Sequence, residues 1–391
     1  MVDTTYLRSK LVSDIRNRLG IKSISTNYVQ FYLNNEFMGL YIMTDVINLP
    51  WIEDEFGEKK ATNLYKCESL MDIIPEYSNG CENKNEEVTD NTEWINFLTA
   101  VENAKSASDL EDIFEIEHFL YEMAIDYLLC SFDHTVHNFN FYKQPNGKWI
   151  YLSYDFDLDL YFQYDNEISY KDYFNYFRER LYNLLIAQDQ ERFNNIIKDI
   201  VKRVINPDIL YPHIDEIKQF IKPYVIIDKT LDSNGKYPGV MNDHALTDMY
   251  YHSFEEWDDS IEFTKDVGLK YRILMKYKSI CNQLNMECNP VYLDENYLSK
   301  NIKFKEDYYQ TGIDEYNTLT TQYEIPTAIP TEFSSFNEKE TEYDVDISMP
   351  TTDNESSSDE ENTTEFVESV SGSVTTNTVT KTQTIYTTIS N

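Results

Sequence analysis

Oxygen-bearing side chains recur in order along one stretch of the chain: Asp133, Asn138 five residues on, then Asp155 and Asp157. A carboxylate can take the proton of a hydroxyl nucleophile, and hard carboxylate and amide oxygens suit Mg2+ or Mn2+. Phosphoryl transfer requires mainly positioning and charge neutralisation, which such groups supply. On this reading Asp133 is the base, Asn138 a metal ligand and Asp155 the main metal ligand. If the segment is extended, Asp157 alternates onto the face of Asp155 and completes the shell for a second ion. Phe156, Leu158 and Leu160 are then buried on one side. Asp155, Asp157 and Asp159 crowd the other, where like charges call for a cation. Taken alone, an Asp at a helix end is more often a cap or turn former. His134 and His137, without a third ligand, read as hydrogen-bonding scaffold rather than a zinc site.

Two rival motifs fit less well. An EF-hand loop needs Gly at its sixth position, where Leu160 stands. A phosphatase with an aspartyl nucleophile would use Trp149 to Tyr154 as the strand feeding Asp-x-Asp. It would want Thr or Val where Asp159 stands, and the alternating strand-helix pattern of a parallel sheet is absent.

The elements around these residues follow from periodicity. Ile116, Phe119, Leu120, Met123 and Tyr127 recur at helical spacing over Glu115 to Leu129, immediately before the Asp133 to Asn138 run. Two short strands, Phe139 to Lys143 and Trp149 to Tyr154, flank the turn signal Pro145-Asn146-Gly147. That hairpin returns the chain to deliver Asp155 beside Asp133. Upstream, Leu7, Leu11, Ile15 and Leu19 predict an amphipathic helix capped by Asp3 or Thr4 and stopped by Gly20. Tyr28 to Leu33 and Phe37 to Val46 read as a hairpin about Asn34-Asn35-Glu36. Ser78 to Asp90 reads as a surface loop, and Thr92 to Ala104 as a helix. Beyond Tyr170, Tyr173 to Ala187, Gln190 to Val204, Ile209 to Ile227 and Ser253 to Leu284 predict a helical region packed behind the site.

Composition bounds the partners. With 391 residues the chain is long enough for two lobes or two domains. A net charge of -36 speaks against a nucleic-acid partner, since phosphate backbones are bound by surplus Lys and Arg. It favours basic protein substrates through long-range attraction. No apolar run reaches the roughly 18 residues of a membrane span, and the start of the chain lacks a signal-peptide pattern. Five cysteines show no CxxC pair. Cys67 with Cys81, and Cys281 with Cys288, are close enough to form local disulfides suited to an oxidising compartment, leaving Cys130 as a buried thiol.

The order helix, Asp-x4-Asn loop, two short strands, Asp-Phe-Asp is that of a protein kinase catalytic centre. More closely, the chain resembles the CotH kinase family, named for a bacterial spore coat protein and also found in fungal surface proteins. The similar segments are Asp3-Thr4-Thr5-Tyr6-Leu7-Arg8-Ser9-Lys10-Leu11, the run Tyr32 to Tyr41, Asn63-Leu64-Tyr65-Lys66, then Asp133, His137-Asn138 and Asp155 to Asp159. About the first three quarters of the chain is covered. The resemblance implies an α+β, atypical two-lobe kinase fold that binds ATP with Mg2+ and phosphorylates Ser or Thr of extracellular or coat proteins. The alternative is an inactive kinase-fold scaffold or adhesion module at the cell surface. Arg8 and Lys66 are the basic residues expected to reach phosphate, although Arg8 also reads as an exposed helix residue. Asp45 stands where the family usually has Glu after Gly-x-Tyr, and the resemblance implies a place for it at the nucleotide. The strands the family places ahead of the first helix are absent, so a shortened N-terminal lobe with an exposed hairpin edge is expected. Residues 1–292 are expected to form the kinase-like domain, 293–312 a connection, and 313–391 a disordered acidic Ser/Thr-rich tail.

Overall fold

The computed structural model describes residues 3–161, 168–174, 179–233, 235–239, 252–265, 268–301, 377–379 and 382–389. Helix α1 (Arg8–Leu19) begins later than its apolar pattern, because Asp3 organises the turn before it. The Asp3 carboxylate accepts from the backbone N–H of Thr5 and of Arg8, each at 2.9 Å. Gly20 ends the helix in the left-handed region, at φ 76°. The hairpin of β1 (Thr26–Leu33) and β2 (Glu36–Thr44) turns through Asn34 and Asn35, both at positive φ. Asn tolerates that region better than most residues, and such a turn matches the twist of antiparallel strands.

Next come α2 (Leu49–Phe56), capped by Asn48, then β3 (Leu64–Cys67) and β4 (Cys81–Asn83). The loop expected over Ser78 to Asp90 therefore contains a strand, which the Cys67–Cys81 disulfide staples to β3. Helix α3 (Thr92–Asn103) buries Trp94, Phe97, Leu98 and Val101. Helix α4 (Ile116–Leu129) is apolar nearly all round and has eleven buried residues, as a helix enclosed on every side must be. Strands β5 (Phe139–Lys143) and β6 (Trp149–Ser153) follow the Asp133 to Asn138 run and complete an antiparallel sheet ordered β4-β3-β5-β6.

The helical region contains α5 (Tyr170–Phe174), the single turn α6 (Glu179–Leu181), a π-helical segment at Tyr182–Ala187, α7 (Gln190–Arg203) and α8 (Pro207–Asp228). The helix expected over Ser253 to Leu284 is two helices, α9 (Phe254–Ile261) and α10 (Leu269–Gln283). They are separated at Gly268, where a Cβ would lie 1.9 Å from the carbonyl oxygen of Glu262. Short helices α11 (Pro290–Leu293) and α12 (Tyr297–Asn301) extend the packing through Tyr292 and Tyr297, whose rings meet edge-on those of Tyr211 and Phe263.

Two segments of the expected tail form strands, β7 (Asn377–Val379) and β8 (Thr382–Ile389). Strand β8, with its run of Thr, Ile and Tyr, pairs antiparallel with β1 from Tyr28 to Leu33. The second sheet is thus ordered β2-β1-β8-β7, so β8 covers one edge of the hairpin and β2 lies at the end of the sheet. The rest of the expected tail lies outside the described residues. The molecule is mixed helix and sheet, α+β as expected. Among the described residues no helix is long and apolar enough to cross a membrane.

Candidate active site

The site forms where α4 ends. Cys130 closes that helix in the left-handed conformation, φ 56°, and a 3-10 turn at Phe132–His134 carries Asp133 outward. Both oxygens of Asp133 are engaged by its own loop: His137 Nε2 lies 2.7 Å from Oδ1, and Asn138 Nδ2 donates to Oδ2 at 2.6 Å. Asn138 is itself at positive φ, 62°. With its amide nitrogen committed to Asp133, its carbonyl oxygen remains the donor that could face a metal. The loop is braced from outside by Leu70, whose N–H donates to the Val136 carbonyl at 2.8 Å.

Strand β6 delivers Asp155, which is left-handed at φ 65°. Burial and then the Asp133 charge raise its pKa, while His134 and a hydrogen bond with Asp157 oppose the rise. Asp157 is raised further, to about 6, by burial and then by Asp155, Asp3 and Asp133, with Arg8 opposing. Asp133, Asp155 and Asp157 therefore share one electrostatic neighbourhood. Asp3, expected as a helix cap, joins them. Crowded carboxylates at raised pKa are what a divalent cation would relieve.

The expected alternation fails beyond Asp157. The left-handed residue at 155 and a turn in which Asp159 N–H donates to the Phe156 carbonyl rotate Asp159 inward. Asp159 is fully buried, away from the open face, and burial raises it to about 6 even though His134 and Arg16 oppose this. Neither of its oxygens completes a hydrogen bond among the described residues, although the nearby Ser131 hydroxyl also opposes the rise. Among the described residues no three Asp, Glu, His or Cys side chains stand close enough to hold a metal by themselves. A cation held by Asp155, Asp157 and Asn138 would take its remaining oxygens from phosphate and water.

Beneath the loop lies a polar layer that sequence reasoning missed. His134 is buried; its Nδ1 lies 3.0 Å from Asp126 Oδ1 and its Nε2 lies 3.3 Å from the Asp155 carbonyl. Burial disfavours the imidazolium, but Asp126 and Asp159 outweigh it and raise His134 to about 9. With both ring nitrogens protonated it would donate to both partners. Both histidines are hydrogen-bonding scaffold, as expected. Arg16, on the inner face of α1, is buried against Glu122 and Ser153.

The three residues expected at the nucleotide fall differently. Arg8 is 2 % exposed, not a surface residue, and its guanidinium is paired with Asp3 while lying 5.3 Å from the Tyr161 ring centre. Its influence on Asp157 places it at the edge of the acidic cluster. Lys66, on β3 opposite Asn140, is half-exposed and pairs with Glu68 at 2.5 Å. Tyr154 also donates to Glu68, so Lys66 stands one residue from the Asp155 approach. Asp45 instead caps the start of the first hairpin, accepting from Ser25 N–H at 2.8 Å, and no described contact joins it to the cluster.

A family model described as CotH kinase protein matches residues 1–271. Among curated proteins of Rhizopus delemar, Invasin CotH2 is 26% identical over 261 residues, covering 59% of this chain and 44% of that protein. Invasin CotH3 is 25% identical over 262 residues, covering 59% and 43%. Spore coat protein homolog 1 is 25% identical over 279 residues, covering 65% and 45%. The chain spans less than half the length of the curated relatives it matches.

Proposed function

The chain belongs to the CotH kinase protein family, and from that premise we propose that it transfers the γ-phosphoryl group of ATP to Ser or Thr hydroxyls of proteins. The observation that carries the reading is the Asp133 loop. His137 and Asn138 immobilise a carboxylate, and the returning β5–β6 hairpin sets Asp155 and Asp157 close enough to perturb one another.

The residues divide into roles. Asp133 accepts the proton of the attacking hydroxyl, and its two hydrogen bonds fix the direction from which it does so. Asp155, Asp157 and the Asn138 carbonyl would hold Mg2+ or Mn2+, which when bound neutralises charge on the phosphates. Lys66, at the open side of the sheet, has the reach to approach a phosphate by exchanging Glu68 for it. Arg8, tied to Asp3, holds the Asp157 end of the site in place. The sheet surface bearing Lys66 and the helical region around α4 would act as the two lobes of a kinase-like cleft.

Two disulfides, Cys67–Cys81 and Cys281–Cys288, fit a protein working in an oxidising compartment. The names invasin and spore coat protein carried by the relatives point to a surface or coat location. The same names support a second reading, an adhesion module that uses the fold as a scaffold. Metal-dependent ATP binding separates the two. Binding of a fluorescent ATP analogue that requires Mn2+ or Mg2+, and that falls at least tenfold in Asp155→Ala, is expected. No metal-dependent binding by the wild-type chain would leave the adhesion reading.

A further inference from the structure

Helix α1 lies along the acidic segment and touches it with two buried arginines eight residues apart, a separation of roughly 12 Å on a helix. Arg8 meets the far end, at Tyr161 and beside Asp157. Arg16 meets the near end, where β6 passes into Asp155. Its guanidinium lies 4.2 Å from the centre of the Phe156 ring, and its Nη2 donates to Ser153 Oγ and Glu122 Oε2, each at 3.1 Å. Ser153 in turn donates to the same Glu122 oxygen at 2.8 Å, and Asp126 Oδ1 lies 3.5 Å from Arg16. His134 meets the Phe156 ring edge-on, with centres 5.6 Å apart.

We infer that Arg16 is a positioning residue for the metal-binding segment, holding Ser153 and Phe156 so that Asp155 and Asp157 face outward. The inference rests on the phosphoryl-transfer reading. Asp155 is left-handed, a conformation a β-carbon disfavours, so its neighbours must fix it from both sides. Ser153, two residues before, and Phe156, one residue after, are the residues Arg16 grips. A guanidinium suits the task because its planar face stacks on an aromatic ring while its edge donates to a carboxylate and a hydroxyl together. Lysine cannot do both. Were Arg16 only a buried structural charge, any core lesion of similar severity would mimic its loss.

The test uses the full chain and Mn2+-dependent binding of a fluorescent ATP analogue, with melting temperature measured alongside. Arg16→Met should raise the Mn2+ midpoint at least tenfold, and Arg16→Lys at least threefold. Ile261→Ala, a fully buried residue of α9 outside the site, should lower the melting temperature while leaving the midpoint within twofold. If Arg16→Met does not fold, Arg16→Lys carries the comparison. An unchanged midpoint in the folded Arg16 variant, or an equal rise in Ile261→Ala, overturns the inference and leaves the phosphoryl-transfer reading standing. A wild-type chain that binds no nucleotide with metal overturns both.

Discussion

Asp133 spends both carboxylate oxygens on its own loop, so its orientation is set before any substrate arrives. Preorganisation of this kind avoids reorientation during reaction. Asp157 shows the cost of assembling the site. Its folded-state pKa, about 6, lies above its ordinary value of 3.8 because burial and neighbouring carboxylates disfavour its charge. Between those values the native chain binds more protons than the unfolded one, so this group's contribution to stability falls as pH rises through about 4 to 6. Metal-free wild-type protein should therefore lose more melting temperature than Asp157→Asn between about pH 4 and pH 7. Adding Mg2+ at pH 7 should stabilise the wild type more than the variant. Parallel melting profiles for the two proteins, with and without Mg2+, would contradict this account of Asp157.

At the scale of elements, the Asp133 loop depends on a neighbour it never meets in sequence. Leu70 donates to Val136 from the turn closed by Cys67–Cys81, and Glu68 and Ser69 N–H both donate to the Gly80 carbonyl within that turn. The disulfide spans 14 residues, for which chain entropy gives about 3 kcal/mol of stabilisation. A Cys67→Ser, Cys81→Ser double variant should lose about that much in urea denaturation and bind nucleotide more weakly as the loop loosens. Undiminished stability would show that β3 and β4 need no staple.

Much at this scale was legible in the sequence. The Pro-Asn-Gly turn with its flanking aromatic strands located β5 and β6, and the apolar spacing located α3 and α4. Sequence proximity made Cys67–Cys81 and Cys281–Cys288 candidate disulfides, and the fold pairs them so. Asp159 was misplaced because alternation assumes an extended chain, whereas Asp155 is left-handed. Arg16 escaped notice because a charged residue in an amphipathic helix reads as solvent-facing. Its partner Glu122 is 106 residues away, a pairing no local pattern reveals. Arg8 was misread for the same reason. Strand β4 was hidden inside a polar run because three residues carry little periodic signal.

At the scale of the whole molecule, the family match ends at residue 271, and the region it covers contains every residue of the candidate site. Sheet β2-β1-β8-β7 draws its inner strands from opposite ends of the chain. Its second strand, β2, is anchored to the helical region by Asp228, which accepts from Leu40 N–H and Tyr6 Oη, each at 2.8 Å. Gly39 is required there: it sits at φ 124°, and a Cβ would lie 2.7 Å from Asp228 Oδ1. The net charge of -36 would attract basic molecules to the chain over a distance set by salt. The most direct test is transfer of labelled γ-phosphate from ATP to a basic Ser/Thr-containing protein, with Mg2+ or Mn2+, by the wild-type chain and Asp133→Asn. The account predicts transfer by the wild type and a loss of roughly a hundredfold to ten-thousandfold in the variant, with metal-dependent ATP binding retained. Equal transfer by the two would remove Asp133 as the base, and no transfer by a wild type that binds ATP would contradict the assignment of a kinase.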